Sequence, residues 1–174
     1  GDEANAYVGG ADSLNGVDGT DTVSYENAAT AVKASLATGG TLGDAAGDTY
    51  QSIENLTGSA YADDLQGNDG DNWLQGKGGD DTLIFSKGHD TLEGGTGTDT
   101  VVYAGVTVAV NANLLTKLGT VADGSSQEFR SIENLTGGAG SDILVGNDSA
   151  NTLLGMVGND SILGGAGDDN LQGG

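Results

Sequence analysis

The sequence predicts an all-β protein, a parallel solenoid of stacked nonapeptide coils, and three observations carry that prediction. From Gly58 to Val102 the chain divides without remainder into five units of nine: GSAYADDLQ, GNDGDNWLQ, GKGGDDTLI, FSKGHDTLE and GGTGTDTVV. The sixth place of each unit holds Asp or Asn (Asp63, Asn72, Asp81, Asp90, Asp99), and the eighth an aliphatic residue (Leu65, Leu74, Leu83, Leu92, Val101). Glycine fills most first and fourth places, which suits a tight loop because glycine reaches positive φ without steric penalty.

The chemistry of one unit follows from this phase. The first six residues form the loop and the last three a short strand, in which the eighth side chain points inward while the seventh and ninth point out. A strand of three residues buries almost nothing alone, so stability comes from stacking many similar turns. Successive units then lie on opposite sides of a flattened coil. This gives two parallel sheets with an aliphatic ladder between them, and the turns of alternate units stack. Coils in a parallel sheet are roughly 4.8 Å apart, and two carboxylates at that separation repel by about 1 to 3.5 kcal/mol for effective dielectrics between 80 and 20. A hard divalent cation between turns removes the repulsion. Calcium takes six to eight oxygens from carboxylates and carbonyls, and glycine loops present carbonyls freely.

GGTGTDTVV at Gly94 and GGAGDDNLQ at Gly164 match the repeat G-G-x-G-x-D-x-U-x, and the chain resembles RTX, or haemolysin-type, calcium-binding sequence throughout. The resemblance implies a parallel β-roll (β-solenoid) that binds Ca2+ through sixth-place side chains and backbone carbonyls of same-side turns. The matching residues are Asp12, Asp21, Asp63, Asn72, Asp81, Asp90, Asp99, Asp142, Asn151, Asp160 and Asp169. Asn72 departs from the pattern with a neutral amide, and FSKGHDTLE lacks both leading glycines.

Composition agrees with a fold that depends on an ion. Asp+Glu 26 against Lys+Arg 5 gives a formal charge of -21, with Gly 33, Pro 0, Cys 0 and 5% aromatic residues. Low hydrophobicity with high net charge is a signature of disorder, and the absence of cysteine leaves metal as the staple. No apolar run approaches the roughly 18 to 20 residues of a membrane span, which predicts no membrane insertion. The basic residues Lys33, Lys77, Lys87, Lys117 and Arg130 are scattered, which predicts no nucleic-acid or polyanion partner. The start without Met and the stop at Gly173 and Gly174, the first two places of another unit, predict a fragment of a larger protein.

In chain order, residues 1–24 form a partial block. It reaches register at Tyr7 with YVGGADSLN and GVDGTDTVS, where Leu14 and Val23 fill the eighth places. Residues Gly1 to Ala6 read as the end of an earlier, decayed coil or simply as the point where the fragment was cut. A spacer follows over 25–57, with an alternating strand at Val32, Ala34 and Leu36, an exposed loop TGGTLGDAAGD, and a return through TYQSIENLT. The nonapeptide block 58–102 is followed by a second spacer, 103–136, in which Val108, Val110, Ala112 and Leu114 alternate and ADGSSQ is the loop. The spacers share DTVSY/DTVVY and SIENLTG at offsets of 78 and 79 residues, a larger repeat laid over the small one. Each spacer reads as an enlarged coil with Ile53 or Ile132 packed inward and no ligand set of its own; a cap or separate lobe is the competing view. The truncated block 137–174 carries Leu144, Leu153, Ile162 and Leu171 at eighth places and apolar residues Ile143, Val145, Leu154 and Leu163 at outward places.

The sequence contains no catalytic constellation. His89 is the single histidine, on an outward place beside Asp90, and no serine sits in G-x-S-x-G. Acid pairs such as Asp63-Asp64 and Asp168-Asp169 follow from the nonapeptide phase rather than from acid/base chemistry. Trp73, at an outward place, either packs under a neighbouring loop or contacts a sugar or partner. The expected function is a non-catalytic calcium-binding module that folds on binding calcium, in a secreted or cell-surface bacterial protein with a structural or adhesive role; resemblance to the family implies type I secretion. The alternative is a C-terminal secretion and folding appendage of a type I secreted enzyme such as a protease, lipase or epimerase. The outward aliphatic rows, such as Ile84 with Val102, predict association as a homo-oligomer or within a surface layer or adhesin.

Overall fold

The computed structural model describes residues 3–5 and 10–174, with side chains described from residue 10 onward. The expectations for Gly1, Asp2 and the stretch from Ala6 to Gly9, including the start of register at Tyr7, lie outside the described residues. Where the phase is intact, the last three residues of a unit are the strand: Asp64–Gln66, Thr82–Ile84, Thr100–Val102, Ile143–Val145, Thr152–Leu154, Ser161–Leu163 and Asn170–Gln172. Two strands are longer, Trp73–Gly78 and His89–Thr96, because pairing between those two coils runs past the ladder residue into the following glycine turn.

Alternate units pair in parallel, so residues two units apart become neighbours. On one side Ala34, Leu65, Leu83, Val101, Leu135, Leu153 and Leu171 form a single row of an eight-stranded sheet. On the other, Val23, Leu56, Leu74, Leu92 and Phe129 form the row of a ten-stranded sheet. These side chains face each other between the sheets, and Leu56, Leu65, Leu74, Leu83, Leu92, Leu135, Leu144 and Leu153 are fully buried. Exposure returns at the C-terminal end, where Leu171 is 46% exposed.

Both spacers pair into these sheets, but as antiparallel hairpins and not as simple enlarged coils. In the first, Lys33–Ser35 lies parallel to Asp64–Gln66, then turns back as Gly39–Leu42, the edge of the eight-stranded sheet. The stretch read as an exposed loop thus holds a strand and a single 3-10 turn, Gly43–Ala45, with Gly40 and Ala45 buried. Glycine is required at position 40 because a Cβ there would collide with the Ala45 carbonyl. In the second spacer Val110–Asn113 pairs in parallel with Ile143–Val145, then Leu118–Val121 and Ser126–Arg130 follow antiparallel, the last lying parallel to His89–Glu93. Of ADGSSQ only the first part turns; Ser126 and Gln127 are strand, and Gln127 is fully buried. Ile53 and Ile132 are buried, as are Val32, Ala34, Leu36, Val110, Ala112 and Leu114, whereas Val108 is 42% exposed.

The larger repeat is rotated by half a turn. Val23, Leu56, Leu74 and Leu92 stand in the ten-stranded sheet, while their counterparts Val101, Leu135, Leu153 and Leu171 stand in the eight-stranded one. The intervening chain crosses between the sheets an odd number of times, so each copy presents its features on the opposite edge.

Outward positions differ from expectation at one place. Trp73 does not pack beneath a loop: it is 39% exposed, and its Nε1–H donates to Glu93 Oε2 at 3.2 Å across the adjoining strand. Ile84 and Val102 are adjacent on one outer face, and Val145 and Leu163 on another.

A core of one aliphatic residue per nine-residue half-coil makes each rung costly to lose. Leu83→Ala is expected to destabilise the calcium-saturated chain by about 2–5 kcal/mol, because the fully buried site between Leu65 and Val101 cannot collapse. Gln172→Ala, at an exposed ninth place, should stay within about 0.5 kcal/mol. Denaturant titration in saturating calcium reads both.

Candidate metal centre

The sixth-place residue stands where the turn becomes strand, and its backbone N–H is taken by the carboxylate of the next same-side coil. Along one edge the N–H of Val32 donates to Asp63 Oδ1 at 2.7 Å, that of Asp63 to Asp81 Oδ1 at 2.8 Å, and that of Asp81 to Asp99 Oδ1 at 2.8 Å. Farther along that edge, Asn151 N–H donates to Asp169 Oδ1 at 2.9 Å. Along the other edge, Asn72 donates to Asp90 Oδ1 at 3.0 Å, Val110 to Asp142 Oδ1 at 2.9 Å, and Asp142 to Asp160 Oδ1 at 2.9 Å. With Asp21, whose N–H donates to Glu54 Oε2 at 2.9 Å, ten of the expected residues fall into two stacked columns, eight of them aspartates and two asparagines. Asp12 does not join another sixth place; its N–H donates to Asp48 Oδ1 at 2.8 Å.

The second carboxylate oxygens divide the turns into two kinds. Asp63 Oδ2 accepts from Ser59 N–H at 2.5 Å, Asp142 Oδ2 from Gly138 N–H at 2.8 Å, and Asp90 Oδ2 from Ser86 Oγ–H at 3.1 Å. Asp21, Asp81, Asp99 and Asp160 each bury an Oδ2 that has no hydrogen-bond partner. An unpartnered buried carboxylate oxygen is expensive, so these four mark where a cation is wanted.

The first-place glycine opens the space beside them. A Cβ on Gly76 would strike Asp81 Oδ2 and lie 2.6 Å from the Gly94 carbonyl oxygen; one on Gly155 would lie 2.5 Å from Asp160 Oδ2 and 2.6 Å from the Gly173 carbonyl. Each cradle is lined by a carboxylate of one turn and a carbonyl of the next, the donor set of a hard cation. Among the described residues no three His, Cys, Asp or Glu side chains converge on one point. An ion here would take most of its coordination from the backbone. The residues present fit calcium on that basis.

The two asparagines behave differently. Asn72 Oδ1 accepts from Asn68 N–H at 2.8 Å while its Nδ2–H donates to the Glu54 carbonyl at 2.9 Å. Asn151 repeats this with Asn147 N–H at 2.8 Å and the Glu133 carbonyl at 2.7 Å. The amide supplies both a donor and an acceptor, and both are satisfied by backbone groups.

Sequence reasoning missed three acids. Glu54 Oε2 accepts Asp21 N–H at 2.9 Å and Glu133 Oε2 accepts Asp99 N–H at 2.8 Å, so the spacers carry the acid column that they were expected to lack. Asp48, which is fully buried, accepts from Tyr25 Oη–H at 2.6 Å, the place that Gln127 takes opposite Tyr103 at 3.2 Å. The signal was the duplicated SIENLTG, which placed a glutamate at the same offset twice.

Burial pushes the Asp81 carboxyl up to about 7, with Asp63, Asp99 and Asp80 adding repulsion. Burial likewise pushes Asp90 up to about 6 and raises Asp63 and Asp99 despite the N–H groups that favour their ionised forms. Among the described residues the two ion pairs, Lys33 with Asp64 at 2.6 Å and Arg130 with Glu128 at 3.1 Å, neutralise no sixth-place carboxylate.

These features define a calcium-binding β-roll module. The profile of the RTX calcium-binding nonapeptide repeat matches in four copies, at residues 57–92, 86–105, 132–162 and 145–174, together more than half of the chain. The chain belongs to the RTX calcium-binding repeat family, whose nonapeptides bind Ca2+ and form a structural, non-catalytic repeat. No curated protein sequence matches it as a relative. No helix among the described residues is long and apolar enough to cross a membrane.

The pKa directions fix a pH dependence for the calcium-free chain. An aspartate raised from about 3.9 when unfolded to about 7 (Asp81) or 6 (Asp90) binds its proton more tightly when folded. The resulting stability is fully present below about pH 4 and is lost as pH rises through 6 to 7. In calcium-depleted buffer the strand signal by circular dichroism should therefore grow on acidification from pH 7.5 to about 4.5. In calcium the dependence reverses, since ions displace the protons.

Proposed function

We propose that this chain is a calcium-triggered folding module of a secreted or cell-surface bacterial protein with a structural or adhesive role, with its ions held between same-side turns. The ligands are the sixth-place carboxylates, led by Asp21, Asp81, Asp99 and Asp160, together with turn carbonyls. The observation that carries this reading is the set of four buried Oδ2 atoms without partners, Asp81 Oδ2 and Asp99 Oδ2 each beside a backbone carbonyl of the next coil. RTX repeats occur in secreted bacterial proteins, where calcium is abundant. A formal charge of -21 keeps the chain extended where calcium is scarce. Extracellular calcium modules bind with dissociation constants of roughly 10⁻⁴ to 10⁻³ M, so folding is coupled to export into millimolar calcium.

In chelator at neutral pH and low salt the chain should be largely without β signal and should gain it cooperatively with calcium; magnesium, which demands tighter octahedral geometry, should substitute poorly. Asp81→Ala, at the centre of the Asp63–Asp81–Asp99 column, should lose more calcium by calorimetry than Asn72→Ala, whose amide closes its turn by hydrogen bonds. Full β signal in chelator, or equal calcium loss in the two variants, would overturn the reading.

The structural role is supported by outward apolar residues, which offer a contact surface. Ile143 is 46% and Leu163 63% exposed, and Val145 lies beside Leu163 in the sheet. These rows serve lateral association of calcium-loaded copies. Sedimentation at several protein concentrations in calcium should show self-association that Val145→Lys and Leu163→Lys reduce; a monomeric wild type whose variants merely lose stability would remove the association.

A further inference from the structure

The Ser-Ile-Glu-Asn return that closes each spacer builds a group that the nonapeptide pattern does not contain. Asp99 is fully buried; its Oδ1 accepts the Asp81 N–H at 2.8 Å, and its Oδ2 has no partner. The cradle beside that oxygen, where a Cβ on Gly94 would fall, is walled on the far side by the Ser131 carbonyl oxygen. Ser131 has φ 49°, a left-handed conformation that is strained for a non-glycine residue. Glu133 is held against the same aspartate: its Oε2 accepts the Asp99 N–H at 2.8 Å, while the N–H groups of Glu133 and Asn134 donate to the Asp99 carbonyl at 3.1 and 2.9 Å.

The first spacer repeats every part. Asp21 is 4% exposed and its Oδ2 is unpartnered; a Cβ on Gly16 would strike that oxygen and the Ser52 carbonyl; and Ser52 has φ 50°. Glu54 Oε2 accepts the Asp21 N–H at 2.9 Å, and the Glu54 and Asn55 N–H groups donate to the Asp21 carbonyl at 3.2 and 2.9 Å. The half-turn between copies of the larger repeat puts the two groups on opposite edges of the roll.

We propose that each return completes a calcium site of its own, in which a glutamate from outside the nonapeptides replaces the repeat aspartate: Asp99 with Glu133 and the Ser131 carbonyl, and Asp21 with Glu54 and the Ser52 carbonyl. This rests on the reading that the turns take calcium, and adds to the Asp99 and Asp21 turns ligands that the repeat phase does not mark. Two carboxylates with a backbone carbonyl form a hard-oxygen set suited to calcium and poor for zinc. The left-handed serine keeps its strained backbone because its carbonyl lines the cradle, as a first-place glycine carbonyl does elsewhere. Beyond the glutamate the column changes character, since the Asn72 and Asn151 amides donate to the Glu54 and Glu133 carbonyls. Each glutamate thus has an ion on one side and an amide on the other, and the series of ions crosses the spacer before it pauses.

The test uses the 174-residue chain with calcium itself as the probe. Glu133→Gln and Glu54→Gln keep an oxygen to accept the Asp99 or Asp21 N–H and remove only the charge. Equilibrium dialysis should show each variant losing one ion, or binding one ion at least about tenfold more weakly, and the double variant losing two. Strand signal in saturating calcium should persist, and Glu128→Gln, at an exposed glutamate, should bind like wild type. Wild-type isotherms for both Gln variants would overturn the proposal. If the variants do not fold, the calcium-loaded wild-type crystal structure decides: density for an ion between Asp99 and Glu133 and between Asp21 and Glu54 supports the sites. Ions between Asp81 and Asp99 with none at the glutamates sink this proposal alone, whereas a wild type that binds no calcium sinks the underlying reading as well.

Discussion

Like charges stacked at the spacing of a parallel sheet are the constraint on which the rest of this structure depends. A solenoid of nine-residue half-coils repeats its turn every two units, so any acid in the turn meets its own copy roughly 4.8 Å away. The Asp63, Asp81 and Asp99 column shows how far hydrogen bonding can go toward tolerating this: one oxygen of Asp81 and of Asp99 caps the N–H of the preceding sixth-place residue, leaving the other oxygen bare. Burial raises the proton affinity of these groups by stripping water from the carboxylates, neighbouring carboxylates add to it, and among the described residues no ion pair offsets it. Protons or calcium must supply the charge, and at neutral pH outside a cell calcium is the available one.

That constraint explains why the turns are not all alike. A turn with a free oxygen and a carbonyl opposite offers the oxygens that a hard cation takes, while in a turn with asparagine the amide is satisfied by hydrogen bonds. Placing Asn72 and Asn151 directly after Glu54 and Glu133 avoids adding a further charge where the column already carries a longer acid. The same substitution occurs in both copies of the larger repeat, on opposite edges, so the arrangement belongs to the repeat and not to one face of the roll.

The core is thin, with one inward residue per nine-residue half-coil, and the spacers thicken it. Tyr25 and Tyr103 are each almost fully buried where a spacer leaves the block, and their hydroxyls are satisfied by Asp48 and Gln127, which the hairpins deliver. Phe129 then takes the place of an aliphatic rung beside Leu92. Aromatic rings bury far more surface than a leucine rung, so the hairpins act as packed anchors along a roll otherwise held by small increments and by ions.

Much of this was legible in the sequence because it is a matter of phase. Nine residues per half-coil placed Leu65, Leu83 and Val101 in one row and Leu74 and Leu92 in the other, set the sixth-place acids at the turns, and made the need for a cation an electrostatic consequence. What tertiary structure alone decided lies where the phase breaks. Gly39–Leu42 and Ser126–Arg130 pair antiparallel, which a glycine-rich stretch or a short polar loop does not announce. Trp73 stayed at the surface because the strand beside it offered Glu93 as a partner. Glu54 and Glu133 entered the acid columns through contacts spanning 33 and 34 residues, where the blocks use a fixed 18. The physical reason is one of range: a strict repeat fixes every contact between neighbouring coils locally, but a spacer of free length returns to the roll wherever its hairpin packs, and only the packed chain shows which side chain arrives at the open oxygen.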